Sequence, residues 1–265
     1  MVTEQGMVPP HVLAAIIVPS NHNLMANEAP LLTVSGLEVS LGDLTIFRNL
    51  SFEVKQGEVV AVIGPNGSGK TILLKALIGL LPHTGKISWS GEAKIGYVPQ
   101  KIDADRHLPV SARNLLEAKA HILKLPKRKI EETIREVGLT HEALRVPVGH
   151  LSGGQFQKIL IAFALLGDPN VILFDEPTAS LDELSEEHIY DLMHELQDKR
   201  GITFILVSHD LSIINRYATK VLCLSKENTC YGAPEEVLTS SILEKLYGAP
   251  HKFFHHLFHK ADHTK

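Results

Sequence analysis

The chain has 265 residues, of which 44% are hydrophobic and 21% charged, with 26 basic against 30 acidic side chains. This is an ordinary globular composition with enough length for one large or two small domains, and its slight acidity argues against a protein held on nucleic acid by overall charge. No apolar run approaches the ~20 residues that span a bilayer, so a role at a membrane would need a separate spanning protein.

Residues 1–30 read as a flexible extension. Its apolar run, 12–18, is short for a signal peptide, and no Lys or Arg precedes it. Apolar–polar alternation begins at Leu32 and returns over 51–54 and 59–63, predicting strands with Gly57 at a turn. Residues 71–81 have helical spacing and stop before Pro82. Short strands are expected at 86–88 and 95–98. From about 110 to 146 the pattern turns helical and more charged, with helices over 112–123 and 127–137 broken at Leu125-Pro126. Another helix follows over 155–166. Strands at 171–174, 203–207 and 220–224 then alternate with helices at 183–198 and 210–217. This order predicts an α/β fold whose mostly parallel sheet is covered by helices, with a helical insertion in the middle. Cys223 is expected as a buried strand residue, and two cysteines make no disulfide framework.

One segment carries strong chemistry. Gly64-Pro65-Asn66-Gly67-Ser68-Gly69-Lys70-Thr71 fits the P-loop pattern and lies between an apolar strand and an apolar helix. Its glycines let the backbone curl so that successive N–H groups meet phosphate oxygens, and the helix N-terminus adds positive potential. Lys70 would reach the β- and γ-phosphates, and the Thr71 hydroxyl would ligate Mg²⁺. A second magnesium partner must come from a neighbouring strand. Residues 171–174 form that strand, and Asp175 emerges at its C-terminal end, where α/β sheets bind ligands. Glu176 beside it can polarise an attacking water. His209 emerges at the same edge after the strand 203–207. It can contact the γ-phosphate and hold that water, or it can simply belong to a helix cap built by Ser208 or Asp210.

Leu151-Ser152-Gly153-Gly154-Gln155 precedes another amphipathic helix, and its helix start is a second phosphate-friendly N-terminus. One nucleotide needs one cradle. A symmetric dimer, in which Ser152, Gly153, Gly154 and Gln155 close over the partner's nucleotide, uses both.

With these segments in place, the chain resembles the ATP-binding subunits of ABC transporters from about 31 to 247, with that family's motifs in order. The resemblance implies a P-loop NTPase fold: a mostly parallel sheet core, an antiparallel β-subdomain, and a helical subdomain at about 110–146. It divides the chain into an extension (1–30), an ATPase domain (31–247) and a His-rich tail (248–265). Walker A falls on 64–71, Walker B on 171–175, the catalytic glutamate on Glu176, the Q-loop glutamine on Gln100, the H-loop histidine on His209, and the D-loop on Ser180-Leu181-Asp182. By the same resemblance Gln100 senses Mg²⁺ and the γ-phosphate and couples the site to a membrane subunit. The implied assembly is a homodimer on an integral membrane permease at the cytoplasmic face of the membrane, without nucleic acid. One departure stands out. The family usually places an aromatic residue before Walker A to stack on adenine, and Leu41 occupies that position, with Ile46 nearby. Aromatic stacking is worth roughly 1–3 kcal/mol, so weaker base discrimination and better competition by GTP are expected. Lys124, Lys127, Arg128 and Lys129 face a partner, lipid headgroups or solvent.

Residues 96–101 and 222–237 look like the zinc/manganese branch of the family. The expected function is the ATP-hydrolysing subunit of a metal-ion importer, for zinc or else manganese, fed indirectly by an extracytoplasmic metal-binding protein. The alternatives are another ABC transporter cargo, or a soluble ABC ATPase without a membrane partner. Five of the 15 histidines fall in the last 15 residues. His251, His255, His259 and His263 are spaced by four and would share one helix face, so neighbouring pairs can chelate Zn²⁺; a polar tail with no specific role is the other reading.

Overall fold

The structure is a computed structural model, and it describes residues 29–100, 109–178, 181–225 and 229–247. Ser180 of the D-loop, the apolar run 12–18, and His251, His255, His259 and His263 lie outside the described residues.

Two sheets frame the molecule. In the smaller, β1 (Leu32–Leu41) pairs antiparallel with β2 (Leu44–Val54) on one side and with β4 (Thr84–Trp89) on the other. The larger runs β5 (Ile95–Val98), β6 (Val171–Asp175), β7 (Thr203–Val207), β3 (Val59–Ile63), β8 (Lys220–Leu224), β9 (Thr229–Gly232). Its first five strands are parallel and β9 closes one edge antiparallel. Strands β3, β6 and β7 are buried at every position. Their side chains alternate between two cores: Ala61, Ile63, Ile172, Phe174, Phe204 and Leu206 face one, while Val60, Val62, Val171, Leu173, Ile205 and Val207 face the other. A sheet covered on both faces requires such unbroken runs, because a period of two sends alternate residues to opposite sides.

The first core is closed by α2 (Ala112–Ile122), α3 (Lys127–Glu136), α4 (His141–Arg145), α5 (Gly153–Leu165) and α6 (Glu183–Arg200). The second is closed by α1 (Lys70–Leu77) and the small sheet. Local chemistry sets the helix boundaries. Ser111 and Asn114 form a capping box at the start of α2, and Asp182 caps α6 by accepting from Ser185 N at 2.9 Å. Helix α1 stops earlier than its spacing suggests. Gly79 turns left-handed (φ 76), its N–H donates to Ala76 O, and Leu80 N–H donates to Lys75 O. This glycine-based C-terminal motif ends the helix before Pro82 can act.

The sequence reading leaves out α4, β9 and the last two helices, α8 (Pro234–Val237) and α9 (Ser240–Tyr247). It also treats the cysteines as unlinked. In the structure Cys223 and Cys230 are directly opposed in the β8–β9 ladder, with Cα atoms 4.9 Å apart, and are joined as a disulfide. Only the register of that hairpin brings them together.

Candidate active site

The loop after β3 leads into α1 (Lys70–Leu77) with its backbone pressed against neighbours. A Cβ at Gly64 would lie 2.1 Å from Leu224 O, and one at Gly69 would lie 2.4 Å from Ile46 Cγ2. Only glycine permits either approach. Lys70 is buried, and its Nζ donates to the carbonyls of Gly64 (2.9 Å) and Pro65 (3.1 Å). Burial pulls its ammonium below the usual lysine range, against the opposing pull of the Glu176 and Asp175 carboxylates. The Ser68 hydroxyl is buried without a hydrogen-bond partner. An ammonium spent on its own loop and an unpartnered hydroxyl are donors of the kind a triphosphate accepts.

Strand β6 delivers two adjacent carboxylates. Asp175 is buried, and burial pushes its carboxyl above the usual range although two hydroxyls hold it. Thr71 Oγ1 donates to its Oδ1 at 2.9 Å and Tyr97 Oη to its Oδ2 at 3.3 Å. Thr71 and Asp175 present two hard oxygens side by side, which suits Mg²⁺. Glu176 follows with left-handed backbone (φ 48), a conformation that costs a residue with a side chain roughly 1–2 kcal/mol. Its Oε1 meets His209 Nε2 at 2.9 Å, and its Oε2 accepts from Gln100 Nε2 at 2.5 Å. A carboxylate only accepts, so His209 Nε2 carries the proton of that bond.

The residues foreseen at the sheet edge are thus brought together: Thr71 with Asp175, and Gln100 and His209 with Glu176. Both readings of His209 find a counterpart, a helix cap beside it and a ring bond to Glu176. Asp210 caps α7 (Leu211–Tyr217), accepting from the Ser212 and Ile213 amides, and leaves the His209 ring to Glu176. A carboxylate gripped by a histidine and a glutamine, beside hard oxygens and a phosphate cradle, suits metal-assisted transfer of a phosphoryl group to water.

Other residues were not foreseen. Tyr97 reaches Asp175 from the neighbouring strand. Tyr190 on α6 is 2% exposed, stacks on Tyr217, and lies with its hydroxyl 3.3 Å from Thr178 Oγ1 and 3.4 Å from Ser208 Oγ. It therefore joins the turn after Glu176 to the loop of His209. A hydroxyl on a buried element must find a partner, and that was the one signal available beforehand.

Two foreseen segments stand apart. Ser152 and Gln155 form a capping box on α5, Ser152 Oγ accepting from Gln155 N at 3.2 Å and Gln155 Oε1 from Ser152 N at 3.1 Å. Among the described residues no hydrogen bond joins this helix start to the phosphate loop. Leu41 is paired with Leu44 at the tip of the β1–β2 hairpin, where the two are 45% and 57% exposed. Ile46, two residues further on, touches Gly69.

The sequence profile of the ABC transporter family matches residues 47–179. A probable metal transport system ATP-binding protein of Thermotoga maritima is 35% identical over 217 residues, covering 81% of this chain and 89% of that protein. The zinc import ATP-binding protein ZnuC of Chromohalobacter salexigens is 36% identical over 223 residues, covering 82% and 90%. Among solved structures, an inward-facing transporter described as of metal-chelate type superposes with a TM-score of 0.76 at 29% identity, over 84% of this chain and 90% of that one. The structure of cbiO1 from Clostridium perfringens, part of the cbiONQ transporter complex, superposes at 0.71 and 28% identity, over 82% and 94%.

Proposed function

The chain belongs to the ABC transporter family, as one of its ATP-hydrolysing subunits, and we propose that it energises a metal-ion importer, with zinc the favoured cargo and manganese the alternative. The cargo rests on relatives named for zinc import and metal transport that share about a third of their residues with nearly the whole folded chain. The engine rests on one observation: Glu176, aimed by a left-handed backbone, is held by His209 and Gln100 beside the Thr71–Asp175 pair.

Each residue then has a task. Gly64, Pro65, Asn66, Gly67, Ser68 and Gly69 wrap the phosphates with Lys70. Thr71 and Asp175 would hold magnesium, with Gln100 at its flank, and the ion would supply positive charge to the phosphates. Glu176 accepts the proton of the attacking water, and His209 keeps that carboxylate oriented. Leu41, Leu44 and Ile46 receive the base as an aliphatic surface. Ser152, Gly153, Gly154 and Gln155 of one subunit close over the nucleotide of the other, so two chains are needed for one competent site. No helix among the described residues is long and apolar enough to cross a membrane, which agrees with a peripheral subunit on the cytoplasmic face of a separate permease. The spacing of His251, His255, His259 and His263 supports zinc binding by the tail, as a brake on hydrolysis when cytosolic zinc is plentiful.

Deleting the chain from its source organism tests the cargo. Growth under chelation should fail and be restored by zinc but not by manganese. Rescue by manganese alone, or no growth defect, contradicts the assignment. Complementation with a chain truncated after Pro250 should restore growth but leave ATP hydrolysis insensitive to zinc; unchanged zinc sensitivity would remove the tail from the account.

A further inference from the structure

Strand β5 ends where β6 ends, and it sends two donors across. The strands are parallel, with Tyr97 opposite Leu173 and Val98 opposite Phe174. Tyr97 Oη donates to Asp175, and Gln100, three residues later, donates to Glu176. Each of two consecutive carboxylates is therefore supported by one residue from the neighbouring strand end. Both oxygens of Asp175 are held: Thr71 takes Oδ1 and Tyr97 takes Oδ2. Two hydroxyls on opposite oxygens fix the carboxylate's rotation, which a single bond would leave free. Tyr97 is itself half-buried, so its hydroxyl is held against Asp175 by the packing of its ring.

We propose that Tyr97 is a positioning residue for the magnesium carboxylate, holding Asp175 Oδ2 so that Oδ1 stays beside Thr71. With Gln100 it makes the end of β5 a common support for the metal ligand and the base, so a displacement of this strand end reaches both acids at once. The inference rests on Asp175 being a magnesium ligand. Mg²⁺ demands near-ideal octahedral placement of its oxygens, and outer-shell partners of metal ligands are typically worth 10–100-fold in metal affinity.

Calorimetric titration of the full chain with ATP, in magnesium and in EDTA, separates this role from a structural one. Tyr97→Phe keeps the ring and its packing. It should weaken ATP binding by about 10-fold in magnesium and leave binding in EDTA unchanged. Asp175→Asn, titrated in parallel, should abolish the difference between the two conditions. If Asp175→Asn preserves that difference, Asp175 is no ligand and the proposal falls with that reading. If Asp175→Asn abolishes it while Tyr97→Phe behaves as wild type, Tyr97 is overturned alone. A Tyr97→Phe protein that melts earlier with both affinities intact marks a merely structural hydroxyl, and also overturns the proposal.

Discussion

Asp175 concentrates the conflict between stability and function in a single side chain. Its carboxylate is buried at the end of β6, and the Thr71 and Tyr97 hydroxyls offset only part of the lost hydration. Asp175→Asn removes that charge while keeping its shape. Thermal melts without nucleotide should rise by several degrees, since 1 kcal/mol moves the midpoint of a chain this size by about 2–4 °C. ATP hydrolysis should fall by at least about 100-fold. A lower melting temperature would show that the carboxylate stabilises the resting protein instead. The motif residues were legible because chain spacing alone defines them: Lys70 and Thr71 close one pattern, and Asp175-Glu176 end an apolar strand. Tyr97 and Tyr190 were not legible. Their meaning lies in bonds to Asp175, Thr178 and Ser208, which are far away in sequence and meet only once strands β5, β6 and β7 are in register.

At the scale of elements, the parallel strands were the most readable part. Residues 59–63, 203–207 and 220–224 are unbroken or nearly unbroken apolar runs, and all three are strands over those bounds. The end of α1 is not legible in the spacing, because apolar residues continue to Leu81 whereas Gly79 reverses the backbone. Strand β9 is not legible because four residues of mixed polarity carry no period. One helix contact makes a direct prediction. Lys119 of α2 is buried, donates to Phe163 O in the last turn of α5, and lies 4.2 Å from the centre of the Phe163 ring. It thus fastens the helical insertion to the helix that Ser152 caps. Burial lowers its ammonium from the usual 10.5 to about 8. Between those values the unfolded chain binds more protons than the folded one, so this group's contribution to stability rises with pH. Denaturant unfolding at pH 7 and pH 10 should show wild type gaining on Lys119→Met. A difference that stays constant across that range would contradict the lowered value.

For the whole molecule, the decisive feature is that the phosphate loop and the Ser152 helix start lie on different elements, with no hydrogen bond between them among the described residues. The phosphate loop opens α1 beneath the small sheet, and the Ser152 helix start opens α5 on the opposite core. On the proposed function a single chain carries two half-sites, and pairing two chains head to tail would complete both. ATP should drive this closure and hydrolysis should reverse it, with Glu176 setting how long the closed state lasts. The most direct measurement compares wild type and Glu176→Gln by light scattering and phosphate release in magnesium and ATP. The variant should bind ATP, accumulate as a stable dimer, and hydrolyse about 10²–10⁴-fold more slowly. Continued rapid turnover by Glu176→Gln, or a variant that stays monomeric while saturated with ATP, would contradict this cycle of closure and hydrolysis.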